Sequence, residues 1–247
     1  MAVSLSAVAC GCIATGSGWH LGEQGLWTKK TCFELGTRVP LIITAPHITA
    51  SYGKRTLHMA ELVDVCELQC DDCIALPAGR PQSTVRAKYL ADAALDLSLL
   101  DPTVAALSGL PAPPGMDGIS LLPAFTNQAA SSGAKSYAFS EFPQCPSDPD
   151  INLWHTSNGC QNIVREEICF FGFSIWSASY RYTEWHPWSK SLKADWATMT
   201  GVELYDYRQV DMADFDQFDR GNVAGAAEHT AAEKELATAL PAHYSRM

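Results

Sequence analysis

ICFFGFSIWSASYRYTEWHPW, Ile168 to Trp188, is the densest run of aromatic and β-branched residues in the chain. Such residues favour the pleated, half-buried surface of a sheet. A Ser-Ala-Ser break at Ser177 to Ser179 divides the run in two, so it is read as a β-hairpin. Downstream, GVELYDY (Gly201 to Tyr207) gives another short strand. The stretch NVAGAAEHTAAEKELATALP (Asn222 to Pro241) is rich in helix formers, with Leu236 and Leu240 one turn apart. It predicts a terminal helix lying on the sheet and stopped by Pro241. Upstream, YAFSEFP (Tyr137 to Pro143) alternates as a further strand, preceded by a loop at Ser131 to Ser136.

Earlier in the chain the pattern changes. TRVPLIITA, Thr37 to Ala45, is a continuous apolar run of the kind expected for a strand covered on both faces, as in an α/β sheet. ELVDV, Glu61 to Val65, starts a helix. DPTVAALSGLP, Asp101 to Pro111, has helical spacing at Val104 and Leu107 and a stop at Gly109. Between them, Cys66 to Leu100 has no sustained period and reads as an insertion. PAPPGMDGISLLP, Pro111 to Pro123, is a turn-rich loop followed by a short apolar piece.

The 247 residues include 17 Lys or Arg against 27 Asp or Glu, a formal net charge of −10. An acidic balance with no basic stripe argues against nucleic acid as the main partner. The apolar run VPLIITAP, Val39 to Pro46, falls far short of the roughly 18 residues that span a bilayer, so no membrane partner is expected. The first fourteen residues resemble a signal h-region, but no Lys or Arg precedes them, and the compartment stays unassigned.

The nine cysteines include CELQCDDC, Cys66 to Cys73, which no further CxxC or neighbouring His completes as a zinc set. Cys145 and Cys160 flank a loop rich in Pro, Asp and Asn and are the better candidates for a disulfide. No Asn-x-Ser/Thr sequon is present.

Five segments occur in an order that resembles the sulfatases of the alkaline phosphatase superfamily, in particular the iduronate-2-sulfatase branch. They are GWHLGEQGLWTKK (Gly18 to Lys30), TRVPLII, ELVDV with DPTVAALSGLPAPPGMDGISLLP, FGFSIWSASYRYTEW and ELYDY. The resemblance covers most of Gly18 to Leu240 apart from the insertion. It implies the C-terminal part of an α/β alkaline-phosphatase-like sulfatase domain, followed by a small antiparallel sheet with a C-terminal helix. On that reading residues 1–17 lie outside the family pattern and 18–130 belong to the α/β domain, with 66–100 inserted. Residues 131–247 then form the small α+β subdomain.

The resemblance also implies chemistry. Sulfatases hydrolyse sulfate esters with a formylglycine made from the Cys or Ser of a C/S-x-P-x-R motif, assisted by Ca²⁺. Lys29 falls on the lysine that contacts the sulfate, and a solvated surface lysine is the plain alternative. Trp19, Glu23 and Trp27 support the substrate loop, and Lys30 is peripheral. A sulfated carbohydrate of the glycosaminoglycan type is the implied substrate, and a lysosomal or secreted location is usual for the family.

The departures are as specific as the matches. Gly16 and Ser17 stand where two metal ligands belong, so this chain is not expected to bind Ca²⁺ there. No C-x-P-x-R occurs, and CPSD at Cys145 to Asp148 is a near-miss with Asp148 in place of arginine. Trp176 replaces an arginine common in relatives. The chain is therefore expected to be an incomplete, inactive sulfatase fragment, from a faulty gene model or as a true pseudoenzyme, and an unpaired sheet edge predicts poor solubility or oligomers. The alternative is a non-catalytic binder of sulfated glycans, supported by Lys29 and the aromatic group Trp185, His186 and Trp188. A phosphodiesterase would need Asp and His ligands that are not evident in this half.

Overall fold

Phe170–Trp176 and Tyr180–Pro187 are antiparallel partners joined by the Ser-Ala-Ser turn, as the aromatic run predicts. The Tyr180 amide donates to the Ser177 hydroxyl at 3.0 Å, and the Ser177 amide donates to the Tyr180 carbonyl at 2.8 Å. A serine side chain thus stands in for a backbone acceptor at the corner.

The structure, a computed structural model, describes residues 11–14, 18–29, 31–39, 41–53, 59–61, 102–112, 118–126, 135–145, 165–211 and 214–244. Along the chain, the strands are β1 (Gly11–Ala14), β2 (His20–Leu21), β3 (Trp27–Thr28), β4 (Leu41–Thr44), β5 (Ala138–Gln144), β6 (Phe170–Trp176), β7 (Tyr180–Pro187) and β8 (Gly201–Asp206). The helices are α1 (Glu34–Thr37), α2 (Pro102–Leu107), α3 (Leu122–Phe125) and α4 (Thr230–Tyr244). The chain divides into two compact units: residues 1–13 with 42–135, and residues 14–41 with 136–247.

In the first unit, β1 pairs with β4. α2 stops at Gly109, which has a positive φ of 71°. The Leu110 amide reaches back to the Ala105 carbonyl and the Gly109 amide to Ala106, so two carbonyls of the last turn are satisfied as in a Schellman motif. The Thr103 hydroxyl accepts from the Leu121 amide at 2.9 Å and ties α2 to the start of α3.

The strand expected over Thr37 to Ala45 is shorter and less covered. Thr37 closes the helical turn α1, where its hydroxyl donates to the Phe33 carbonyl, and the strand runs only over Leu41–Thr44. Ile42 is 61 % exposed, so the run is not buried on both faces. Of the ELVDV helix, Glu61 lies outside any element, and residues 62–65 fall outside the described residues.

The second unit is a four-stranded antiparallel sheet in the order β5-β6-β7-β8. On one face Phe173, Ile175, Tyr182 and Leu204 pack against Leu236 and Leu240 of α4, all buried. Burying each such side chain contributes about 1.5–3 kcal/mol. On the other face Tyr205, Tyr207 and Phe218 form a second cluster with Phe33, Leu35 and Trp176. The segment 18–37 therefore covers the face that α4 leaves bare.

The outer edge of β8 is also closed. The Asn222 side chain accepts from the Leu204 amide and donates to the Val202 carbonyl, and the Val223 amide donates to the Leu204 carbonyl. That hides edge groups that would otherwise invite pairing with another chain.

Pro241 does not stop α4, contrary to the sequence reading; the helix continues to Tyr244. Proline removes one amide donor near the C-terminus, and tertiary contacts hold the last turn in spite of that. The Tyr244 hydroxyl donates to the Ser140 carbonyl, its ring packs 4.7 Å from Phe173, and His243 stacks on Phe139 at 3.7 Å.

Candidate functional site: an anchored loop carrying Lys29

Residues 18 to 36 form a loop whose ends meet. The Gly18 amide donates to the Gly36 carbonyl at 3.1 Å, and a Cβ on Gly18 would lie 1.7 Å from the Leu35 carbonyl oxygen. Only glycine permits that approach. Inside the loop β2 and β3 pair as a miniature hairpin, His20 opposite Thr28 and Leu21 opposite Trp27. Its turn holds Gly22 at φ 125° and Gln24 at φ 52°.

The loop faces two ways. His20, Cys32, Glu34 and Gly36 are buried. Trp19 is 56 % exposed, Trp27 is 45 % exposed, and Leu21 and Lys29 are exposed as well. His20 lies within 3.0 Å of the Thr31 hydroxyl, which also accepts from the Phe33 amide, while the Thr31 amide donates to the Lys29 carbonyl. The backbone beside Lys29 is thus tied to a buried imidazole. Burial pushes the His20 pKa down from its ordinary value, which favours the neutral ring.

Glu23 caps the turn. Its carboxylate accepts from the Leu21 amide at 2.6 Å, and that bond holds the carboxyl below its usual range. The Cys32 thiol packs against the Gly172 carbonyl, and burial raises its pKa to about 12, so it is an inert core thiol.

Beneath the loop lies a buried ionic cluster. The Asp219 carboxylate accepts from Arg181 Nη2 at 2.9 Å, from the Tyr207 hydroxyl at 2.5 Å and from the Glu34 amide at 2.8 Å. The Glu34 carboxylate lies 3.7 Å from Arg181 and 3.8 Å from Arg38. Burial raises the pKa of both carboxyls, and Arg181 opposes the rise. Burial also works against the charge on Arg181, but Asp219, Tyr207 and Glu34 outweigh it.

Of the other residues singled out from the sequence, Gly16, Ser17, Lys30, Cys160 and the Cys66-Cys70-Cys73 run lie outside the described residues. Cys145 is disulfide-bonded. Trp185 and His186 lie on β7 and Trp188 just after it, bridged to Ala194; His186 is buried, and the two indoles are half-buried. His186 is buried against the Glu184 carboxylate at 2.8 Å, and the Trp185 ring covers Gly172 while its Nε1 donates to Glu203. Trp176 packs beside Tyr207 in the second cluster.

Among the described residues no group of three or more His, Cys, Asp or Glu side chains is arranged to hold a metal ion. Gly16 offers no side-chain oxygen and Ser17 only a weak one. Those two residues alone do not supply a ligand set for a calcium ion. No helix among the described residues is long and apolar enough to cross a membrane.

No family model matches the chain. It is 27 % identical over 238 residues to mouse (Mus musculus) iduronate 2-sulfatase, covering 86 % of this chain and 37 % of the relative. Among solved structures it is similar to the phosphonate monoester hydrolase SpPMH from Silicibacter pomeroyi, with TM-score 0.56, 22 % identity, and coverage of 95 % of this chain and 34 % of that one. It is also similar to BT1596, a 2-O GAG sulfatase, with TM-score 0.52, 18 % identity, and coverage of 96 % and 36 %. The chain is related to the sulfatases. It spans about a third of the length of the proteins it matches. As in the sulfatase alkaline-phosphatase-like domains, the sulfatase-related chain is an α/β protein with a small antiparallel sheet and a C-terminal helix.

Proposed function

We propose that this chain is the sulfate-facing C-terminal portion of a sulfatase-type hydrolase of sulfate esters, iduronate-2-sulfatase-like, with a sulfated glycosaminoglycan as the substrate class. The observation that carries the reading is the loop 18–36. It presents Lys29 to solvent with the indoles of Trp19 and Trp27 nearby in sequence, while its inner residues are locked in the core. In this reading the Lys29 ammonium pairs with a sulfate oxygen and the indoles offer apolar faces to the sugar ring.

Turnover is not assigned to this chain's own residues. The sequence has no C-x-P-x-R nucleophile motif, and Gly16 and Ser17 stand where the resemblance places two metal ligands. Those two facts favour a second reading, a non-catalytic binder of sulfated glycans. Fluorescence titration of the purified chain with a heparin oligosaccharide and its desulfated counterpart, beside a turnover assay on 4-methylumbelliferyl sulfate, tests both. The first reading predicts binding that depends on sulfate, no turnover by the chain itself, and hydrolysis by the longer protein that contains it. Sulfate-dependent binding with no hydrolysis by any longer form selects the second reading. Equal affinity for the desulfated sugar, or no binding, overturns both.

A further inference from the structure

Phe218 and Asp219 meet the Lys29 loop and its continuation at three places. The Gln24 side-chain amide donates to the Phe218 carbonyl at 3.0 Å. The Glu34 amide donates to the Asp219 carboxylate at 2.8 Å. The Arg38 guanidinium lies over the Phe218 ring, 5.4 Å from its centre.

Asp219 is fastened just as firmly to the sheet. Arg181, which grips it, projects from β7, and Tyr207 follows β8 directly. One carboxylate therefore receives donors from the strands on one side and from the loop backbone on the other. Asp219 also sits at φ 50°, in the left-handed region that non-glycine residues rarely occupy. Such a conformation persists only where surrounding contacts over-determine it.

We infer that Asp219, oriented by Arg181 and Tyr207, is a positioning residue that sets where the Lys29 loop stands against the sheet. The inference builds on the sulfate-contact reading of Lys29, but its first test is independent of any ligand. Asp219 touches no substrate; it acts through the Glu34 amide, and with Phe218 it holds the segment from Gln24 to Arg38.

The test uses the full chain with D219N, which keeps an acceptor and a similar shape, and with D219A. Hydrogen exchange is followed by mass spectrometry. The expected result is exchange at least ten-fold faster across residues 18–36, with β6 and β7 still protected. Uniform loosening of loop and strands together, or no change, overturns the positioning role.

The second arm is a double-mutant cycle on binding of a heparin oligosaccharide. K29A is expected to cost about ten-fold in the wild-type background and less than three-fold beside D219N. An equal cost in both backgrounds overturns the inference. If the wild-type chain does not bind at all, the sulfate reading fails alone, and the exchange result still decides the positioning role.

Discussion

Arg181 is enclosed on all sides, and its charge faces the carboxylates of Asp219 at 2.9 Å and Glu34 at 3.7 Å. Arg181→Met keeps most of the stem and removes the charge. Removing one partner of a buried pair costs about 3–5 kcal/mol, because the other charge is left without compensation. Here Asp219 retains the Tyr207 hydroxyl and the Glu34 amide, so the lower end, about 3 kcal/mol, is expected at pH 7.5. For a protein of this size that is a fall in Tm of roughly 6–12 °C.

The loss has a predictable pH dependence. Without Arg181, burial raises both carboxyl pKa values further in the folded state. A raised folded pKa stabilises the protein at acid pH and loses that contribution as pH rises. The cost of the substitution should therefore be smaller at pH 5 than at pH 7.5, as the carboxyls take up protons. Urea unfolding at both pH values, followed by tryptophan fluorescence, measures it. A loss below about 1 kcal/mol at pH 7.5, or one of equal size at both pH values, would refute the assignment of a buried ion cluster.

Other expectations follow from the same contacts. Glu34, raised by burial from an ordinary value of 4.5, stabilises the fold below that pH and loses the contribution as pH rises through its folded pKa. Glu34→Gln should therefore gain in Tm relative to wild type as pH increases from 4.5, and a difference independent of pH would contradict this. Leu240→Ala, at a fully buried site against the sheet, should cost about 3–4 kcal/mol in urea unfolding without changing the m-value; under 1.5 kcal/mol would mean that α4 does not pack as described. Under native conditions iodoacetamide should modify Cys169 but leave Cys32 untouched until the chain unfolds, and mass spectrometry should find Cys145 blocked until reduction.

The elements legible from the residues are those whose causes are local. The hairpin β6-β7, strand β8 and the stop at Gly109 follow from β-branched and aromatic density, a serine turn and a glycine free to take positive φ. Where tertiary contacts overrule local preference, the reading fails. α4 runs through Pro241 because Tyr244 is bonded to Ser140 and packed on Phe173, residues about a hundred and about seventy positions away. Thr37 is a different case, a local one: it joins a helical turn because its hydroxyl and the Arg38 amide find acceptors four residues back, at Phe33 and Glu34.

The site divides in the same way. Lys29, Trp19, Glu23 and Trp27 stand together in one segment and are visible as a motif. Glu34, Arg181, Tyr207 and Asp219 are scattered over 186 positions, and no spacing rule pairs them. The only signal was indirect. Arg181 sits in a strand otherwise rich in aromatic and β-branched residues, where a charge is retained only with a partner.

The central claim is that Lys29 of the anchored loop contacts sulfate. The chain carries a formal net charge of −10, so a polyanion gains nothing from its overall field, and attraction has to be local. Isothermal titration of a heparin oligosaccharide into wild type, K29A and the exposed-loop control K190A tests this most directly. The account predicts about a ten-fold loss for K29A, equivalent to about 1.4 kcal/mol, and none for K190A. Equal affinities for all three proteins would contradict it.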